Sequence, residues 1–269
     1  VVIAQDSRDH EVSLADAMST SAQRVAIVTG ASAGIGRETA IEMARDGYAV
    51  VVADILADGG RDTVRHIESA GGAAVFVRTD VSVESDVRAS VQAAVTEFGG
   101  LDVAVNNAGL EQSGCPITEV TTELCDRILG INVRGVLMGM KHQIPAMRAR
   151  GGGAIVNLSS IAGQLGFQGA SVYVASKHAV IGLTRTAALE CATDRIRVNA
   201  VCPGAIQTDM IDRFAGHDAA AKAALVARHP LGRIGTVAEV ASAIRWLCSP
   251  GAGFVTGQCV TVDGGYTVQ

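Results

Sequence analysis

"TGASAGIG", residues 29–36, follows the apolar run "RVAIVTG" (24–30) and opens the helix-patterned stretch "GRETAIEMARDG" (36–47). Its glycines, Gly30, Gly34 and Gly36, form a G-x-x-x-G-x-G pattern. Glycine lets the chain turn sharply and lets backbone N–H groups approach an anion at a helix N-terminus. Ser32 adds a hydroxyl, and Ile35 sits between the last two glycines. A glycine turn without a ligand has the same composition. The order strand, loop, helix is what marks a pyrophosphate cradle made by Gly30, Ser32, Gly34, Ile35 and Gly36.

The same alternation continues outward. Further β-branched runs are "AVVVAD" (49–54), "AAVFVRTD" (73–80), "LDVAVNNAG" (101–109), "AIVNLSS" (154–160), "RIRVNAVCPG" (195–204) and "QCVTVDGG" (258–265). Each is apolar almost throughout, as expected for a strand buried on both faces. Helix-patterned segments lie between them, among them "DVRASVQAAVTEFG" (86–99), a long helix over 118–147 and another over 171–194. Strands alternating with helices predict an α/β fold: a doubly wound parallel sheet with helices on both faces. No linker or repeat divides residues 23–269, which read as one domain. Residues 1–22 are polar and read as an extension outside the core, with 1–17 an added or vector-derived segment. Residues 205–235 read as a mobile lid. Ligands of such sheets bind at the carboxyl ends of the strands.

Composition excludes several classes. A net charge of −5 leaves no basic footprint for nucleic acid. No apolar run approaches the ~18 residues of a membrane span. Six cysteines are scattered without a C-x-x-C pair, so zinc and dithiol readings fail and no metal is expected. Free thiols point to a reducing, cytoplasmic location.

Asp54 ends the second run, eighteen residues after Gly36. A carboxylate there accepts hydrogen bonds from an adenosine ribose and repels a 2′-phosphate. Ala33, Ile55 and Leu56 offer no cation to neutralise that phosphate, and Arg37 is placed on the outward face of its helix. NAD is therefore expected rather than NADP. A bland reading of Asp54, a strand-end turn residue, stands beside this one.

"YVASK" (173–177) sets a tyrosine four residues before one of only three lysines. The pair could be surface neighbours on a helix. Its context says more. The blocks "TGASAGIG", "NNAG" (106–109), Asn132 in "GINVRG", "NLSSIAG" (157–163) with "YVASK", and "NAVCPGAIQTDM" (199–210) occur in the order that resembles the short-chain dehydrogenase/reductase family. The resemblance spans about residues 23–268. It implies a Rossmann-type sheet of about seven strands and a homotetramer. It also implies that Asn132, Ser160, Tyr173 and Lys177 are the catalytic tetrad. Ser160 is preferred to Ser159 because it stands thirteen residues before Tyr173. Asp80 and Val81 would line the adenine. Asn107, Ala108 and Gly109 would lie against the cofactor, and Pro203, Gly204, Ile206 and Thr208 would form the nicotinamide shelf.

The chemistry suits the residues. A phenol of pKa about 10 is a poor base at neutral pH. An ammonium beside it favours the phenolate, so Lys177 is expected to lower Tyr173 and also to bind the nicotinamide ribose. Ser160 would orient the substrate oxygen, and by family analogy Asn132 would hold a water of a proton relay; satisfying backbone groups is its alternative role. The expected reaction is NAD-dependent interconversion of a secondary alcohol and its ketone, with cyclic alcohols among the candidates. Three other readings remain: an NADPH-linked 3-oxoacyl or carbonyl reductase, a nucleotide-sensing protein without turnover, and a sugar-nucleotide epimerase, for which the chain is short. Candidates to face the substrate are Glu111, Gln112, Gln164, Leu165, Phe167, Ile206 and Met210.

Overall fold

The structure is a computed structural model that describes residues 23–269 except Ser113 and residues 215–218, and no side chain in 212–222. The readings of residues 1–22, and of the middle of the 205–235 lid, lie outside the described residues.

Seven strands form one parallel sheet in the order β3-β2-β1-β4-β5-β6-β7. They are β1 (Val25–Thr29), β2 (Ala49–Asp54), β3 (Ala74–Arg78), β4 (Val103–Asn106), β5 (Gly153–Leu158), β6 (Ile196–Pro203) and β7 (Cys259–Val262). This is the doubly wound arrangement the sequence predicts. The helices are α1 (Gly34–Arg45), α2 (Ala57–Ser69), α3 (Glu84–Phe98), α4 (Thr122–Leu129), α5 (Gly135–Arg150), α6 (Ser171–Cys191), α7 (Asp209–Phe214), α8 (Ala219–Ala227) and α9 (Val237–Cys248).

Strand periodicity divides the core in two. In β1, Ala26 and Val28 pack with Met43 of α1 and Ile244 and Leu247 of α9. Val25 and Ile27 face the other way, towards Val91 of α3, Met147 of α5 and Val180 of α6. Every residue of β1, β2 and β4 is buried. The expectation of burial on both faces fails at β3 and β7, where most residues are only half-buried. They are the two edges of the sheet, so each has a neighbour on one side only.

The single helix expected over 118–147 is also corrected. A 3-10 turn covers Ile117–Glu119, and α4 starts after Thr121, whose hydroxyl accepts the Leu124 N–H. A π-helical turn, Gly130–Arg134, then joins α4 to α5. Such turns add a residue to the helical register and re-aim the side chains around them. Here the re-aimed residue is Asn132, which is 1% exposed.

β1 and β4 are neighbours, but the connections that leave them run to opposite faces of the sheet. That divergence opens a crevice at their carboxyl ends. The glycine loop after β1 and the Asn-rich loop after β4 form its lips.

Candidate functional site

The glycine loop is built around close approaches. Gly30 has φ +67°, a conformation that side chains other than glycine's rarely adopt. A Cβ on Gly36 would lie 2.1 Å from the Gly30 carbonyl oxygen. Ala33 caps α1 without a side-chain hydrogen bond, so the first N–H groups of the helix stay available to an anion. Asn107 braces this loop: its Nδ2 donates to the carbonyls of Thr29 (2.9 Å) and Gly30 (3.2 Å). The N–H groups of Asn107 and Ala108 donate to the Thr29 hydroxyl. The cradle therefore fits a dinucleotide pyrophosphate in shape and in donors.

Asp54 is 7% exposed. One carboxylate oxygen accepts the Ser32 N–H at 2.8 Å and the other the Leu56 N–H at 2.8 Å. A carboxylate has about four acceptor sites, so these two bonds orient it without filling it. The bonds place a fixed negative charge beside the loop. Arg37 does not simply face outward: its Nε donates to Thr63 of α2 at 3.1 Å. Asp80 lies after β3 and accepts both the N–H and the hydroxyl of Ser82; the Ser82 hydroxyl, opposed by burial, draws its carboxyl below the ordinary value. Val81 lies where a Cβ on Gly135 would touch it.

Beyond the loop the crevice widens into a cleft lined by Ile35, Asn107 and Gly109, where a Cβ on Gly109 would lie 3.5 Å from Lys177 Nζ. Tyr173, Lys177 and Ser160 all reach it. Ser160 follows β5 by two residues in extended backbone, and its oxygen accepts the Ala162 N–H at 3.1 Å. Its side chain also lies near enough to the Tyr173 phenol to favour the phenolate. Ser159 instead turns inward and donates to the Lys177 carbonyl at 2.9 Å. Geometry thus separates the two serines as their spacing does.

Lys177 is 5% exposed and donates to the Leu158 carbonyl at 2.8 Å. Its Nζ stands 5.6 Å from the centre of the Tyr173 ring. Burial pushes Lys177 down to about 8. Burial also pushes the Tyr173 phenol up, opposed by the Ser160 side chain and reinforced by the Glu111 carboxylate. The expected lowering of the phenol is thus overturned for the protein groups alone. Withdrawing two polar groups from water penalises the charged form of each.

Asn132 is occupied more fully than the relay expectation requires. Its Oδ1 accepts the Leu110 N–H at 2.8 Å, and its Nδ2 donates to the Leu110 carbonyl (2.9 Å) and the Ser176 hydroxyl (3.0 Å). Ser176 donates in turn to the Tyr173 carbonyl at 2.7 Å. Asn132 therefore ties the loop after β4 to the turn of α6 that carries the tyrosine.

Two supports were not visible as motifs. Gln112 sits across the N-terminus of α6, its Oε1 accepting the N–H groups of Val172 (2.9 Å) and Tyr173 (3.1 Å). Beneath the cleft, Asn106 exchanges hydrogen bonds with Gln143 and donates to Asn157, which donates to Thr184. This buried network pins the ends of β4 and β5 to α5 and α6.

Of the substrate candidates, Glu111, Gln112, Phe167, Ile206 and Met210 line the cleft, and Gln164 and Leu165 do not. The 3-10 turn Ile161–Gly163 carries Gln164 away to β7, where it donates to Thr261 at 3.0 Å. Leu225 and Tyr266 line the cleft unannounced by the sequence. Pro203, Gly204, Ile206 and Thr208 line it too, and a Cβ on Gly34 would lie 3.4 Å from Thr208 Cγ2. Among the described residues no group of three His, Cys, Asp or Glu could hold a metal ion, and no helix is long and apolar enough to cross a membrane. All six cysteines are free.

Residues 30–267 match a protein family described as enoyl-(acyl carrier protein) reductase. The chain is 44% identical over 251 residues to 2,5-dichloro-2,5-cyclohexadiene-1,4-diol dehydrogenase of Sphingobium indicum, covering 93% of this chain and 99% of that protein. It is 46% identical over 246 residues to cis-4-hydroxycyclohexanecarboxylate dehydrogenase of Sinomonas cyclohexanicum, covering 91% and 97%. It is 43% identical over 244 residues to cyclohexanol dehydrogenase of an Acinetobacter species, covering 91% and 95%. Among solved structures, levodione reductase superposes with a TM-score of 0.88 at 34% identity, covering 91% of this chain and 98% of that one.

Proposed function

Because the chain belongs to the short-chain dehydrogenase/reductase family, we propose that it is an NAD-dependent dehydrogenase of cyclic secondary alcohols. Family membership makes it an oxidoreductase that interconverts a secondary alcohol and its ketone with a nicotinamide cofactor. The observation that carries the reading is that Ser160, Tyr173 and Lys177 line one cleft together with Ile35 of the glycine loop.

When bound, the nicotinamide supplies the hydride acceptor or donor for the carbinol carbon. The chain's own groups position and handle the proton. Ser160 donates to the substrate oxygen and holds it beside the Tyr173 hydroxyl. Tyr173 takes the hydroxyl proton in oxidation and returns it in reduction. The Lys177 ammonium favours the phenolate that this transfer creates and donates to a cofactor ribose. Asn132 acts chiefly through position, by fixing Leu110 and Ser176. A water relay through its remaining Oδ1 lone pair stays compatible with that role.

Asp54 supports NAD. Its carboxylate is buried and oriented by two N–H groups, which suits it to accept from a ribose hydroxyl. It speaks against the NADPH-linked reductase alternative. A cyclic substrate is supported by the three relatives, whose names describe six-membered ring alcohols, and by the apolar wall of Ile161, Phe167, Ile206, Met210 and Leu225. Exposed Leu137, Leu189 and Trp246 support a homo-oligomer, in family terms a tetramer. The free thiols support a cytoplasmic setting. The described domain, residues 23–269, is proposed to hold the whole catalytic apparatus.

The test follows NADH absorbance with NAD or NADP across linear, cyclic, sugar and steroid alcohols. Turnover of cyclic alcohols with NAD is the expected result. Preference for NADP, or no turnover of ring alcohols while others react, overturns the finer reading.

A further inference from the structure

His229 is 3% exposed and lies where three parts of the chain meet. It follows α8 by two residues. Its Nδ1 is 2.7 Å from the Leu225 carbonyl oxygen of that helix. Its Nε2 is 3.3 Å from the backbone nitrogen of Ala205. Ala205 belongs to the 203–206 segment, which lines the cleft together with Ile35. A Cβ on Gly204 would come within 3.0 Å of the same Nε2 and 2.9 Å of the Asp263 Cα, so the ring, the segment and the C-terminal loop are packed tightly. The Tyr266 ring meets the imidazole edge-on at 5.2 Å.

These contacts determine where the proton is. A carbonyl oxygen only accepts, so Nδ1 carries hydrogen. A backbone N–H only donates, so Nε2 offers a lone pair. Both bonds are satisfied by one species, the neutral ring protonated at Nδ1. The imidazolium would set a second N–H against the N–H of Ala205, donor facing donor in a buried place. One of them must then move.

We propose that His229 is a positioning residue that, in its neutral form, clamps α8 to the 203–206 segment, and that its protonation releases the clamp and weakens dinucleotide binding. The inference rests on the reading that this segment supports the nicotinamide. Two charged groups and one phenol surround the ring. Asp263, from the loop after β7, favours the cation by its charge, and its own carboxylate is held by Gly265 and Thr267. Arg228, at the end of α8, opposes the cation but is engaged with the Tyr266 hydroxyl at 2.9 Å and with its ring. Tyr266 itself brings a dipole and no charge. With Asp263 at hand as counter-charge, the protonated ring remains tolerable inside the fold. The change is a local rearrangement of the shelf rather than unfolding.

The experiment is a calorimetric titration of the whole protein with NAD between pH 5 and 8, without alcohol. Loss of one buried hydrogen bond at the shelf predicts a Kd weaker by about tenfold at the acid end. His229→Gln keeps a donor and an acceptor on a side chain that does not titrate. It should bind NAD with a flat pH profile near the wild-type value at pH 8. His229→Phe should bind weakly at every pH. A flat wild-type profile, or an acid transition that persists in His229→Gln, overturns the clamp. The wild-type profile needs no substitution, so misfolding of a variant does not protect the proposal. Absence of NAD binding by the wild type at every pH, with binding of NADP, overturns the NAD reading and leaves the clamp to be read from the NADP profile by the same criteria. Absence of binding of either dinucleotide overturns both.

Discussion

Replacing Lys177 by methionine should destroy activity and yet stabilise the fold at neutral pH. Burial lowers Lys177 from its ordinary 10.5 to about 8. That difference disfavours the buried ammonium by about 3.4 kcal/mol relative to the unfolded chain. Below pH 8 both folded and unfolded chains carry the proton, so the whole penalty applies. Between about 8 and 10.5 only the unfolded chain binds it, and wild-type stability gains with rising pH. The penalty is about 3 kcal/mol at pH 7, about 2 at pH 9 and about 0.8 at pH 10. Methionine matches the length of the stem and removes the charge. It forfeits the 2.8 Å hydrogen bond to Leu158 and the contact with the Tyr173 ring, together worth about 1.5 kcal/mol. The variant should therefore be more stable by about 1.5 kcal/mol at pH 7, a rise of roughly 3–6 °C in Tm. The advantage should vanish between pH 9 and 10 and then reverse. Paired thermal melts at fixed protein concentration, from pH 7 to 10, read both the size and the crossover. Groups remote from Lys177 titrate alike in the two proteins and cancel. A variant less stable at pH 7, with a difference that does not change with pH, would refute the reasoning.

Three further outcomes follow from the same geometry. Tyr173→Phe should lower turnover by about 10³-fold or more while NAD still binds; retained turnover refutes the acid/base role. In Asp54→Ala the ratio of kcat/KM for NAD over NADP should fall by at least about tenfold, because a carboxylate that repels a 2′-phosphate is gone; an unchanged ratio refutes the ribose assignment. Gln143→Leu leaves the Asn106 carbonyl oxygen without its 2.8 Å donor in the buried network. Denaturant titration should show a loss of about 2–3 kcal/mol, and a loss under about 0.5 kcal/mol would show that the network is not held by that bond.

Part of the site is legible because its residues are local. Tyr173 and Lys177 are one helical turn apart, so their common face follows from α6 alone. Gly30 and Gly36 are needed by backbone geometry within one loop. The apolar strands β1, β2 and β4 are buried on both faces, and their composition says so. The readings that failed concern neighbours in space. Gln164 and Leu165 follow Ser160 closely in sequence, but a single 3-10 turn sends them out of the cleft. Asn132 sits in a π turn, which has no pattern of its own in a helical stretch. The phenol shifts up and the ammonium down because burial, which sequence spacing does not reveal, is the largest cause for each.

By itself, then, the sequence determined the alternation of strands and helices, the glycine loop, and the shared helical face of Tyr173 and Lys177. Each of these depends on backbone freedom or on periods of two and 3.6 residues, which are short-range properties. Tertiary structure alone decided what holds them in place. Gln112 caps a helix sixty residues further along the chain, Asn106 finds Gln143 and Asn157, and His229 links a helix to the segment after β6. Those partners come together because the parallel sheet gathers the ends of distant strands at one edge of the crevice. There, withdrawal from water makes every unpaired polar group costly.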